Sequence, residues 1–334
     1  MQPVLLTIVC ALAAAAYLAG VRAMTPADAS AAPQQAAALA SMVPEDDVPA
    51  AGRYLATKHE TGALTIATVT MQPRLDPAWN RGHMEQVIEE TLREHPRVRL
   101  FHFGETILGW FHNPDGTAAY MASIAETVPG PTTELLGGLA REHGVYVSFG
   151  LCERAGDRLH NAQVLLSPSG EIIAVHRKSW VCNPWFAPGE QKLATARVDG
   201  AKVALLVCAD ARSRPLVRAL RREKVDVVLA ALADRGTDLA VTRFIGTLFD
   251  AWAFTANRCG EEGPMKWGGL TTITDPWGRL VQASVGTECV LIQDVSLTPI
   301  PPAARAARRA LVFVKGVGCV VALVARSVWS SITR

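Results

Sequence analysis

A cysteine, a glutamate and a lysine each close an apolar run in this chain of 334 residues. Cys208 ends "VALLVC", Glu105 follows "LFHFG", and Lys178 ends "EIIAVHR". A thiolate is a strong nucleophile, a carboxylate moves protons, and an ammonium steadies negative charge. A helix begins a few residues after Cys208, and its N-terminal field lowers a thiol pKa. Each residue also has a plain reading: a buried small hydrophobe, a surface acid and a solvated strand end. No CxxC pair and no zinc-like spacing of Cys and His occurs, so no metal is called for. No glycine-rich phosphate loop follows the first strand, so no dinucleotide cofactor is called for.

Those three positions need strands to carry them. "ALTIATVTM" (63–71) is β-branched and reads as a buried strand, as do 98–103, 145–151, 201–208, 225–232 and 288–295. Met84, Val87, Ile88 and Leu92 give 80–95 a helical apolar stripe. Further helices are expected over 132–144, closed by Gly144, over 214–223, and near 238–252. Two hairpins interrupt the alternation: 161–178 turns at Pro168, Ser169 and Gly170, and 270–285 turns at Asp275, Pro276 and Gly278. Parallel and antiparallel strands must coexist, which predicts an α/β layered domain with mixed sheets.

The composition is 49% hydrophobic and 19% charged, with a net charge of +2, so nothing points to nucleic acid. The apolar excess lies at the ends. Residues 4–21 carry no charge and are just long enough to span a bilayer; they read as an anchor or a signal segment within 1–24. Residues 25–60 read as an Ala- and Pro-rich linker, and 61–297 as the folded domain. In 298–334 a basic cluster (Arg305, Arg308, Arg309) precedes the nearly apolar stretch 310–329, read as an amphipathic or membrane-seated helix. Arg22 and that cluster flank the apolar segments on the domain side, which favours a membrane-associated chain with a cytoplasmic domain. Cleavage of a signal would instead give a secreted or periplasmic protein. Seven cysteines without regular spacing suit a reducing compartment.

Taken together, the motifs resemble the nitrilase superfamily of carbon–nitrogen hydrolases, in its amidase-type branch. "FGETILGW" (103–110) is similar to the family's glutamate segment, "GEIIAVHRKSW" (170–180) to its lysine segment, and "VALLVCADAR" (203–212) to its nucleophile motif. "FAPGE" (186–190), "DAWAFTANRCG" (250–260) and "GGLTTITDPWGRLV" (268–281) resemble its turn, late helix and hairpin, in the family's order. The resemblance runs from about 63 to 296 and excludes both apolar ends. It implies a four-layer α-β-β-α sandwich, a homodimer, and a small-molecule substrate of amide type.

It also implies roles. Cys208 is the nucleophile that forms a thioester, Glu105 the proton carrier, and Lys178 the cation at the oxyanion, with the Ala209 N–H beside it. Asp210 and Arg212 pair in support or hold the helix start. Ala209 stands where nitrile hydrolysers carry an aromatic, which favours amide or carbamoyl substrates. Many relatives carry a second glutamate between Lys and Cys; here no acid occurs before Glu190, and Asn183 is the candidate for that place. Trp110 and Trp185 are candidate walls of the substrate pocket. His176 shares a strand face with Lys178 and reads as a packed strand residue. Two other readings share the motifs: an N-acyltransferase using the same thioester, and a non-catalytic membrane-associated scaffold.

Overall fold

Strand Leu64–Thr70 explains why apolar runs in this chain fail to alternate. Leu64 and Ile66 enter one buried cluster while Ala67 and Val69 enter another. Both faces are covered, so every residue of the strand is buried. The computed structural model describes residues 54–56, 64–235 and 251–297.

The first sheet contains β1 (Tyr54–Ala56), β2 (Leu64–Thr70), β3 (Leu100–His102), β4 (Tyr146–Ala155), β5 (Arg158–Leu166), β6 (Ile172–Arg177) and β15 (Cys289–Val295). Their spatial order is β1-β15-β2-β3-β4-β5-β6. β2, β3 and β4 run parallel, β15 pairs antiparallel with β2 and parallel with β1, and the β4-β5-β6 meander is antiparallel. The second sheet contains β7 (Ala194–Val198), β8 (Ala201–Val207), β9 (Val227–Ala231), β10 (Trp252–Ala256), β13 (Thr271–Thr274) and β14 (Leu280–Ser284), in the order β14-β13-β10-β9-β8-β7. Here β8, β9 and β10 are parallel and the flanking strands antiparallel. A small third sheet pairs β11 (Cys259–Glu262) with β12 (Met265–Gly268).

Helices cover the outer faces. α1 (Pro77–Glu94) starts on Asp76, whose side chain accepts from the Ala78 N–H at 2.9 Å. α2 is Thr117–Ile124. α3 (Pro131–His143) ends on Gly144, whose left-handed backbone (φ 66) lets its N–H reach the Ala140 carbonyl. Met84, Val87 and Ile88 of α1 and Leu136, Leu139 and Ala140 of α3 pack on the first sheet through Phe101, Val147 and Phe149. α4 (Arg214–Glu223) lays Leu216, Ala219 and Leu220 on Ala204, Leu206 and Val228 of the second sheet. Ile66, Leu100 and Leu291 meet Val203, Leu229 and Phe254 between the sheets. The layers therefore run helix, sheet, sheet, helix.

Both expected hairpins form, closed by Gly170 N–H to Ser167 O and Gly278 N–H to Asp275 O, each at 2.8 Å. The long helix expected near 238–252 falls almost wholly on 236–250, outside the described residues; the stretch 250–260, likened to a late helix, needs correction, since its Trp252–Ala256 is strand β10, parallel to β9. The apolar segments of 1–24 and 298–334 also lie outside them, as does the linker expected over 25–60 apart from Tyr54–Ala56, which is strand β1 paired with β15 rather than linker. Among the described residues no helix is long and apolar enough to cross a membrane.

Candidate active site

Three strand ends converge. β3 ends at His102 and the chain crosses toward the second sheet, its course fixed by Phe103 N–H to Ser148 O at 2.8 Å and Glu105 N–H to Leu232 O at 3.3 Å. Gly150 lies under this crossing. A Cβ there would meet the Gly104 oxygen at 2.6 Å, the Thr106 nitrogen at 2.7 Å and the Glu105 Cα at 2.9 Å. Lys178 stands one residue past β6, its N–H on the Asn161 carbonyl at 2.7 Å. Cys208 stands one residue past β8 and opens the 3-10 turn Cys208–Arg212.

The carboxylate of Glu105 is the hub, and only 1% of the residue is exposed. Its Oε1 accepts from Lys178 Nζ and Asn161 Nδ2, both at 2.6 Å. Its Oε2 accepts from the Ala233 N–H at the end of β9, at 2.8 Å. Lys178 is buried too. Burial works against its charged form, but the charge and hydrogen bond of Glu105 outweigh it and hold the lysine above its ordinary pKa.

Cys208 has φ 44, a left-handed backbone that is uncommon for a residue with a side chain and costs about 1–3 kcal/mol. Its thiol is pushed up from the ordinary range, first by burial and then by the Glu105 carboxylate, against the lowering by Lys178. This corrects the thiol pKa depression expected from the helix start. Asp234 and Cys182 also act electrostatically on it. Cys152 and Cys259 are buried thiols pushed up to about 12 by desolvation.

Asp210 holds the turn behind the nucleophile. Its Oδ2 meets His176 Nε2 at 2.8 Å. Its Oδ1 accepts from Ser179 N–H at 3.0 Å, Ser179 Oγ at 2.8 Å and Trp180 N–H at 2.9 Å. Among the described residues Asp210 thus bonds His176 and the chain just after Lys178; the expected Asp210–Arg212 pairing involves the Arg212 side chain, which lies outside the described residues. His176 is a packed strand residue, as expected, and also the partner of Asp210. One carboxylate staples the lysine strand to the cysteine turn.

Ala209 follows Cys208 at the start of that turn, where backbone N–H groups lack partners within it. Trp110 is partly buried, with Nε1 on the Pro73 carbonyl at 3.2 Å. Trp185 packs beside Phe186, Met121 and Cys152. Asn183 is partly exposed, and its carbonyl accepts from Phe186 N–H at 3.2 Å. A groove of about 740 Å3 lined by Glu153, His160, Arg177 and Glu190 does not include the triad. No cluster of metal-ligating residues occurs among the described residues.

Sequence reasoning missed Asn161, Arg258 and Glu262. Asn161 was within reach: β5 and β6 pair Ala162 with Arg177, so the next step sets Asn161 across from Lys178. Arg258 and Glu262 are fully buried, and nothing in their local pattern distinguishes them from surface charges.

A family described as carbon-nitrogen hydrolase matches residues 65–305. A nitrilase from Pyrococcus abyssi is 26% identical over 240 residues, 67% of this chain and 86% of that protein. An omega-amidase from Mus musculus is 24% identical over 207 residues, 56% of this chain and 74% of that protein. In fold, the chain is similar to an amidase from Nesterenkonia sp., with a TM-score of 0.62 at 21% identity, covering 78% of this chain and 99% of that one. In that structure the acetamide moiety of fluoroacetamide is attached covalently to the active-site cysteine.

Proposed function

The chain belongs to the carbon–nitrogen hydrolase family, and on that premise we propose that it hydrolyses a small non-peptide amide or carbamoyl compound through a thioester on Cys208. The reading rests on one observation above the rest. A buried glutamate bonds a buried lysine at 2.6 Å, and both act electrostatically on a cysteine with left-handed backbone. The covalent adduct on the Nesterenkonia cysteine supports the same use of the thiol here.

The steps follow from the charges. Glu105 takes the proton of Cys208, and the sulfur attacks the carbonyl carbon. The oxyanion that forms is held by the Lys178 ammonium and the Ala209 N–H. On collapse Glu105 returns the proton to the departing nitrogen, ammonia or an amine leaves, and the thioester remains. Glu105 then takes a proton from water, the hydroxide attacks the thioester, and the acid leaves as the proton returns to sulfur. Incubation with a panel of short amides should release ammonia from the wild type and none from Cys208→Ala. Equal release by both would contradict the reading.

The further reading is that 4–21 and 310–329 seat the protein at a membrane with the domain on the cytoplasmic side, and that two copies pair. The membrane seating is supported by the lack of charge in the first segment and the basic residues beside both, and the pairing is what the family resemblance implies.

A further inference from the structure

Arg258 is the largest side chain buried completely among the described residues, yet the reaction above gives it no task. Its Nη2 donates to the carbonyl of Glu105 at 2.8 Å, to that of Thr106 at 3.0 Å and to Thr106 Oγ1 at 3.3 Å. Its Nη1 donates to the Gly109 carbonyl at 3.3 Å and pairs with Glu262 Oε1. The other oxygen of Glu262 accepts from Phe111 N–H at 2.8 Å and His112 N–H at 3.4 Å. The rings of Phe111 and Trp267 flank the guanidinium at 5.5 and 5.2 Å. One ion pair therefore grips the backbone from Glu105 to His112.

That backbone needs gripping. Thr106 has φ 43, a left-handed conformation that a β-branched residue rarely adopts. It sits immediately after the carboxylate that has to reach Lys178. The neighbouring Asn257 holds the other side of the carboxylate. Its Nδ2 donates to Asp234 O at 2.9 Å and its Oδ1 accepts from Asp234 N–H at 3.0 Å, next to the Ala233 N–H that binds Glu105.

We propose that Arg258, neutralised by Glu262, is a positioning residue: it fixes the strained turn at Thr106 so that the Glu105 carboxylate meets Lys178 and Cys208. This rests on the reading of Glu105 as the base. Lysine at 258 keeps the charge, but its single ammonium does not reproduce the planar fork that reaches three carbonyls and a carboxylate.

The test measures two things on the full chain for wild type and Arg258→Lys: amide turnover, and the pH dependence of Cys208 alkylation by iodoacetamide, followed on the Cys208 peptide by mass spectrometry. The expected result is a fall of about 100-fold in kcat/KM with KM little changed, since a small misplacement of a catalytic group has that effect. The midpoint of Cys208 alkylation should drop by about one pH unit, because the negative charge that raises the thiol moves away. A more acidic thiol in a slower enzyme is a combination that mere loss of stability does not produce. A lower melting temperature with wild-type kcat and wild-type midpoint would overturn the proposal. If Arg258→Lys does not fold, Thr106→Gly decides, since it frees the same turn and leaves the buried charges paired. About a tenfold loss in kcat/KM with a lowered midpoint supports the proposal, and wild-type values overturn it. A wild type that turns over no amide refutes the functional reading, while the alkylation midpoint still decides the role of Arg258.

Discussion

The carboxylate of Glu105 carries the site because it is bonded on every side and still has proton work to do. Glu105→Gln keeps the shape and removes the charge. Turnover should fall by about 1000-fold, the range expected for losing a positioned base. The Lys178 ammonium is then left buried without its counter-ion, a change that costs about 3–5 kcal/mol. Urea unfolding of the variant should record that loss beside the kinetics. Asp210 gives a pH prediction. Burial raises its pKa, but the hydrogen bond and charge of His176 and the donors of Ser179 and Trp180 win, so the folded value lies below the ordinary one. A depressed pKa contributes stability that is fully present above the unfolded value of about 3.9 and is lost as pH falls through the folded value. The difference in melting temperature between wild type and Asp210→Asn should therefore be constant near neutrality and shrink below about pH 4. A difference that grows on acidification would mean that the pair does not favour the carboxylate.

At the scale of elements, the site depends on backbones passing close together. Gly150→Ala pushes a methyl group into the crossing that carries Glu105, where every near neighbour is backbone and unable to rotate away. It should destabilise the fold by about 1–3 kcal/mol in urea unfolding. It should also lower kcat/KM by about tenfold, because the displaced atoms are those of the base's own chain. Strands and hairpins were legible in the sequence because β-branched runs and Pro-Ser-Gly or Asp-Pro-Trp-Gly turns are local signals. The strand ends holding Glu105, Lys178 and Cys208 were legible for the same reason. Helix α2 was not, since Met121 is its only buried residue and leaves no stripe. Nor was the β11–β12 hairpin, whose charged residues form strands by pairing across Gly263. The Asp210–His176 and Arg258–Glu105 contacts join residues 34 and 153 positions apart, a distance across which no periodicity speaks. The direction of the Cys208 pKa was misread because the helix start was visible in the sequence and the burial and the facing carboxylate were not.

For the whole molecule, the apolar ends make a prediction separate from catalysis. The full-length chain should stay in the membrane fraction through a carbonate wash, and protease added to intact cells should leave its domain uncut. Recovery in the soluble fraction, or digestion of the domain outside intact cells, would contradict the membrane reading or its orientation. The layered domain brings three strand ends from two sheets to one point, and the account stands on what happens to the sulfur there. Its most direct test is rapid quenching of the wild type with an amide substrate, followed by mass spectrometry of the Cys208 peptide. The account predicts a mass gain equal to the substrate's acyl group on Cys208, removed by hydroxylamine and absent in Cys208→Ala. Turnover with an unmodified Cys208 peptide at every quench time, or an acyl group on another cysteine, would contradict it.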